Sequence, residues 1–483
     1  MDKPHCYNTT HVQLCINKNI QLYGNFSTPV TTRAEQYCHR GWMFTDKNEK
    51  VVMTAIVGIL NRQGIAFAAD SAATLTISST HKITNHANKI FELSKFEPVG
   101  IAMYGNMDFM KMPWEQIIKM YRKKVSNMKF DTLEEYSSDF WTYVRNLASL
   151  YQEDKHSQEQ VKFFVDSFYN DILKLTSDKL KAAQKELTDE NIVQNMMEEM
   201  KSINESYKQN KVCQDCQDLT LESFYSIFNE CVSNKIAPCL VISNCPAELK
   251  ETFIETLYFI VRSSSHIYAS STGLVFFGYG DKELMPVYHS FKISDLFKDK
   301  LKITKEGEYI VDIDNGACLA PFAQTDVTNT VVRGIDDDLR SVFYDKNEQI
   351  LALLLDTIVS KLTEAQAPQK LIDILTSLDI KSMSKVFKDD MDDYIWKNYV
   401  SKLIDIVKFL GKEDLAEMAE SLIKMTGLKR HVTTDEESVG GPVDVAVITK
   451  CDGFVWIKRK HYFSPELNPN YFQQYSVNSY VID

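Results

Sequence analysis

The segment VVMTAIVGILNRQGIAFAADSAAT, residues 51–74, sets the reading of the whole chain. Two short runs rich in Ile, Val and Ala, 54–60 and 65–70, flank "NRQG", and that spacing predicts a β-hairpin. The hairpin begins only at Thr54, behind a leading segment that shares none of its texture.

Beyond the hairpin, "KIFEL" (89–93) and "VGIAMYG" (99–105) read as two more strands, the first alternating apolar and polar residues. From Pro113 to about Arg262 the spacing is helical, with heavy Lys and Glu use. In "PWEQIIKMYR", Pro113 opens a helix that carries Trp114, Ile117, Ile118 and Tyr121 on one apolar face. Strand texture returns at 271–280, 285–293 and 308–320, and residues 326–430 are helical again. The last strands, "PVDVAVITK" and "FVWIKRKHYF", meet through "CDG", where Asp452-Gly453 supplies the positive φ of a tight hairpin turn. Strand blocks between helix blocks predict an α+β fold, with antiparallel sheets and helices layered outside them. A parallel Rossmann-type sheet would instead show βαβα alternation.

Composition narrows the function. With 44% hydrophobic and 25% charged residues in 483, the chain has the make-up of a globular protein with ample core. A net charge of −12 argues against a nucleic-acid or anionic-membrane partner. No stretch approaches the roughly 18 apolar residues that span a bilayer. The first thirty residues also lack the apolar core of a secretion signal, so the cytoplasm is expected. The ten cysteines are scattered rather than spaced as a compact disulfide framework. Only Cys213 and Cys216 form a CxxC; with no second CxxC or HxxxH, a structural zinc is not expected. The pair reads as two thiols in a polar loop between helices.

No cofactor is expected either. "FFGYGDKE" holds a lone G-x-G with no third glycine, and there is no G-x-x-x-x-G-K-[ST] or G-x-S-x-G. None of the ten histidines sits in HExxH. A nucleophile that needs no histidine has to be considered.

At this point the chain resembles a family. "TAIVGILNRQGIAFAADSAAT", followed by "NKIFEL", is similar to the opening of proteasome β-subunits and of the bacterial HslV peptidase. At the far end, "GGPVDVAVITKCDGFVWI" resembles the glycine pair, strand and D-G turn that close that fold. The resemblance implies a four-layer αββα N-terminal-nucleophile (Ntn) hydrolase sandwich of two antiparallel sheets, with enlarged helical insertions. Its core strands would lie in 54–105, 271–325 and 442–462, and its helical blocks in 113–262 and 326–430.

Residue by residue, the resemblance makes Thr54 the nucleophile, with its own α-amine as general base. Asp70 would bind and orient a lysine, matched by Lys89, whose charge would favour the anion forming at the threonine. Lys82, in the preceding loop, competes for that place. Asp435 and Ser438 would hydrogen-bond the threonine amine, with Glu436 in stricter register. Ala102, Met103 or Gly105 would offer the oxyanion N–H, and Thr325 or Asp326 lies nearest the family's remaining serine position. Read singly, Thr54 is a β-former, Asp70 a turn cap and Lys89 a solvated strand-end charge.

Such chemistry needs a chain that begins at Thr54. Residues 1–53 are therefore expected to be a leader, a propeptide or a mis-assigned extension ahead of an Ntn-hydrolase domain over 54–483. Met53, not glycine, precedes Thr54, so initiation at Met53 with removal of that Met would expose the amine directly. The resemblance implies a threonine-type peptidase or amidohydrolase acting on a peptide or other amide substrate. It further implies a homo-oligomeric ring, for which an ATPase or another protein is a candidate partner. The alternative is a catalytically silent scaffold whose helical insertions bind a partner.

Overall fold

The computed structural model describes residues 54–470, apart from 78–79, 127, 152–153, 184–188, 237–246, 269–270, 296, 298–299 and 434–438. They belong to the unit Lys47–Asp483; the other unit, Met1–Asp46, and the rest of the expected leader lie outside the described residues.

The expected hairpin is β1 (Ala55–Asn61) and β2 (Gly64–Ala69). Its turn is closed by the Asn61 side chain, which accepts the Gln63 N–H at 2.8 Å, as Asn does in tight turns. Both strands are buried along their whole length, which is why they read as apolar runs rather than as alternation. β5 (Ile90–Glu92) and β6 (Val99–Gly105) also form where expected. Between the two hairpins, residues expected as loop instead pair as β3 (Ala73–Ile77) and β4 (Thr80–Thr84). A two-stranded piece, β7 (Asp108–Phe109) with β8 (Met112–Pro113), leads into the first helix.

Later come β9 (Ser271–Gly278), β10 (Val287–Asp295), β11 (Leu301–Ile310), β12 (Ala317–Ala323), β13 (Asp444–Thr449) and β14 (Gly453–Lys458). The region 308–320, expected as one strand, is thus two. Asp312 breaks it, its carboxylate accepting the N–H groups of Asp314 and Asn315. Two five-stranded antiparallel sheets result, in the orders β12-β1-β2-β13-β14 and β11-β10-β9-β6-β5.

The sheets face each other through Ile56, Leu60, Ile65 and Phe67 on one side and Ile90, Ala102, Val275 and Phe277 on the other. Phe67 stacks on Phe277 with ring centroids 3.8 Å apart. Each ring lies opposite a glycine in its own sheet, Gly58 for Phe67 and Gly100 for Phe277. A Cβ on Gly58 would come within 2.6 Å of the Phe67 ring, so the glycine makes room for the stack.

The outer face of the first sheet (Val57, Ile59, Val445, Val447) packs on Leu415, Ala419 and Leu422 of the helix Lys412–Val432. The outer face of the second sheet (Ile101, Met103, Leu274, Phe276) packs on helices α1 (Trp114–Val125) and α2 (Leu133–Tyr151) through Trp114, Ile117, Tyr121, Phe140 and Trp141. The alternation along each strand is what feeds two cores at once.

Four further helices of the first block, α3 (Asp154–Ala182), α4 (Asp189–Lys208), α5 (Leu221–Ile236) and α6 (Ala247–Arg262), make a separate core around Phe164, Phe168, Phe224, Phe228 and Phe253. Cys213 and Cys216 belong to that core, 4% and 0% exposed, which corrects the reading of two thiols in a polar loop. In the second block, α8 (Asp337–Glu364), which follows α7 (Asp326–Arg333), buries only Tyr344. No helix among the described residues is long and apolar enough to cross a membrane.

Candidate active site around Thr54

Thr54 stands at the mouth of β1 and is 3% exposed. Its carbonyl accepts the N–H of Gln324, the residue that follows β12. The N–H of Ala55 donates to Asp70 Oδ1 at 2.9 Å, and the Asp70 N–H returns a bond to the Ala55 carbonyl at 3.2 Å. Asp70 ends the β2 side of the hairpin, so the antiparallel register that aligns Ile56 with Ala69 brings its carboxylate beside Thr54.

Lys89, just before β5, reaches across from the second sheet, its Nζ 2.6 Å from the same Asp70 Oδ1. Burial lowers the Lys89 pKa, opposed by the charge and hydrogen bond of Asp70. Its backbone carbonyl accepts the N–H of Met103 at 2.8 Å, so that N–H is already engaged. Asp70 Oδ2 accepts the N–H groups of Ala72 at 3.0 Å and Gly440 at 3.3 Å. One buried carboxylate therefore ties together the start of β1, the end of β2, Lys89 and the glycine pair ahead of β13. Gly441 has φ +74°, and a Cβ there would lie 2.9 Å from Asn85 Cβ, so this crossing requires glycine.

Of the residues singled out in the sequence, Thr54, Asp70 and Lys89 converge; Asp435, Ser438 and the alternative Glu436 lie outside the described residues. Asp326 is committed elsewhere, to Arg430 at 2.8 Å and Lys429 at 2.9 Å. Thr325 precedes α7 without a side-chain capping bond. Sequence reasoning missed Gln324, whose N–H holds Thr54 and whose Oε1 accepts from Arg430 Nε at 3.0 Å. It also missed the pair Asp444–Lys460, whose charges act on Lys89. A charged residue opening an otherwise apolar strand was the one available signal for Asp444.

Among the described residues, the one grouping of metal-ligand type is Glu134, His289 and Glu308. Lys305 already lies 3.1 Å from Glu134 and 2.7 Å from Glu308, so the two carboxylates share one ammonium group there.

No family model and no curated protein matches the chain. Among the solved structures that match, two cover most of it. One is the Anbu (Gly-1) mutant from Hyphomicrobium sp. strain MC1, at 8% identity over 89% of this chain and 98% of that one, with a TM-score of 0.26. The other is Anbu (ancestral beta-subunit) from Yersinia bercovieri, at 9% identity over 89% and 99%, also with a TM-score of 0.26. A TM-score of that size carries no argument. Membership of the proteasome β-subunit or HslV family, expected from the two ends of the chain, is therefore not upheld and is withdrawn. The matching motifs are short, and their glycines and apolar runs have local structural causes in the hairpin and the Phe67 stack.

Proposed function

We propose that this protein is an amidohydrolase that cleaves peptide or other amide bonds, with Thr54 as nucleophile once it is the first residue of the chain. The observation that carries the reading is the Asp70 carboxylate, which holds both the Ala55 N–H and the Lys89 ammonium in a buried position. A further support is the order of layers, helices outside two facing sheets, with Thr54 at a strand mouth.

In this reading the free α-amine of Thr54 takes the proton of its own hydroxyl as the oxygen attacks the substrate carbonyl, and no histidine is needed. Lys89, oriented by Asp70, stabilises the developing negative charge in a site shielded from water. With the Met103 N–H already taken, Ala102 or Gly105 would be the oxyanion donor, and Asp435 or Ser438 would hold the amine. The amine then protonates the leaving group, and water hydrolyses the acyl-threonine ester. Removal of residues 1–53, or initiation at Met53 followed by loss of that Met, is a requirement of this scheme.

Incubating a chain that begins at Thr54 with a peptide-like electrophile such as a β-lactone, followed by intact-mass and peptide mapping, tests the reading. One adduct on Thr54, absent from Thr54→Ala, is expected. Absence of an adduct, or equal labelling of both proteins, would overturn it.

A second reading, a scaffold whose helical arm binds protein, rests on α8, where Ile350, Leu353 and Leu354 are 63%, 67% and 55% exposed. Such a face suits contacts in an assembly, including a ring of identical copies. Equal labelling together with a defined oligomer that Leu353→Asp disperses would favour it.

A further inference from the structure

The buried CxxC lies outside the Thr54 site, where the helical core meets the second sheet. Cys213 and Cys216 bracket a single turn of 3-10 helix, with the Cys216 N–H donating to the Cys213 carbonyl at 3.1 Å. The turn is fixed to α6 by the bond from Cys213 N–H to the Arg262 carbonyl at 2.9 Å. The Cys216 thiol and the backbone N–H groups of Asp215 and Ile303 favour the thiolate form of Cys213. These contacts, with Lys302 nearby, bring its pKa down to about 6 against the opposing effect of burial, while Cys216 is pushed upward.

Lys302 is 1% exposed, and its Nζ donates to the Ser265 carbonyl. The ionisable groups acting on it are the thiols of Cys213 and Cys216, with no carboxylate among them, and burial lowers its pKa to about 8. An ammonium group held in a core needs a counter-charge, and the thiolate of Cys213 is the one placed to provide it. The neighbouring His266 adds none, because burial, Lys302 and Lys292 keep its imidazole neutral. Among the described residues no third metal-ligand side chain joins the two cysteines.

We propose that Cys213 and Cys216 form a redox-active dithiol that exchanges with small-molecule disulfides, Cys213 attacking and Cys216 resolving. The residual exposure belongs to Cys213 and none to Cys216, which sets that order. A cavity of about 260 Å³ lies beside the turn and touches it at Asp215, with neither cysteine in its lining. The Cys213 thiolate attacks one sulfur of the disulfide, forming a mixed disulfide and releasing one small thiolate. The Cys216 proton passes to that thiolate. The Cys216 sulfur then attacks Cys213, breaking the mixed bond and releasing the second small thiolate. Two protein sulfurs are oxidised and one small disulfide is reduced. Oxidation also removes the negative charge facing Lys302, so the redox state is felt at the start of β11.

Equilibrating the full chain with graded ratios of oxidised to reduced glutathione, then acid-quenching and mapping by mass spectrometry, tests the proposal. A Cys213–Cys216 disulfide titrating with the ratio is expected in the unmodified protein. Cys216→Ser should hold one glutathione on Cys213, and Cys213→Ser none on Cys216. Lys302→Met should slow alkylation of Cys213 at neutral pH by about tenfold, because less of it is thiolate. Thiols that stay reduced across the whole glutathione range, or glutathione captured on Cys216 instead, would overturn the proposal. The unmodified protein alone decides the first of these, so the test does not depend on any variant folding.

Discussion

Lys89 Nζ and Asp70 Oδ1 lie 2.6 Å apart with side chains 0% and 1% exposed, joining the two facing sheets by a charge pair closed to water. Removing one partner of such a pair leaves the other charge buried alone. Asp70→Asn should therefore destabilise the protein by about 3–5 kcal/mol in urea unfolding. Adding Lys89→Met to it should recover part of that loss, although a second native residue has been removed.

The same lysine separates chemistry from stability. Under the proposed mechanism, Lys89→Met in a chain starting at Thr54 should cut the rate of Thr54 acylation by about 100-fold or more. Lys89→Arg should not restore it, because the site encloses a slim ammonium group and a planar guanidinium needs more room. Adduct formation followed by mass against time is the measurement.

His289, on β10, gives a pH signature away from Thr54. Burial lowers its pKa from the ordinary 6.5 to about 4, with Lys305 adding to the effect and Glu134 and Glu308 opposing it. Between those values the unfolded chain binds more protons than the folded one, so stability rises with pH across the window and is lost on acidification. His289→Gln should flatten that limb by up to about 3 kcal/mol between pH 6.5 and 4, read as unfolding free energy at a series of pH values.

Gly58 tests the packing between the sheets. Gly58→Ala forces a methyl group against the Phe67 ring and should cost about 1–3 kcal/mol. Phe67→Leu in the same chain should relieve the clash, so the double variant should be more stable than the two separate losses predict. Thermal unfolding of the four proteins completes the cycle.

Legibility followed burial. The β1–β2 hairpin and the β13–β14 turn were plain because apolar runs meet strong turn residues there, and Gly453 indeed has φ +73°. β11 was not legible: "LKITKEGEYI" is half exposed and rich in charge, so it carries little strand pattern. β3 and β4 were hidden for a related reason, being short and polar, and held as a two-stranded pair outside both large sheets. In the site, Asp70 and Lys89 could be named in advance, but Gln324 could not, because it acts through its backbone N–H, which no side-chain pattern reveals.

Local periodicity and turn chemistry were enough to set the α+β class, the order of strand and helix blocks and the hairpin that starts at Thr54. Three further facts came from the packed molecule alone: the Asp70–Lys89 pair is closed to water, Gly440 closes over the same carboxylate, and Cys213 and Cys216 belong to a core. Those facts depend on which distant segments share a register and which side chains lose water. Both are set by the packing of sheets and helices on one another, and neither is contained in any one segment.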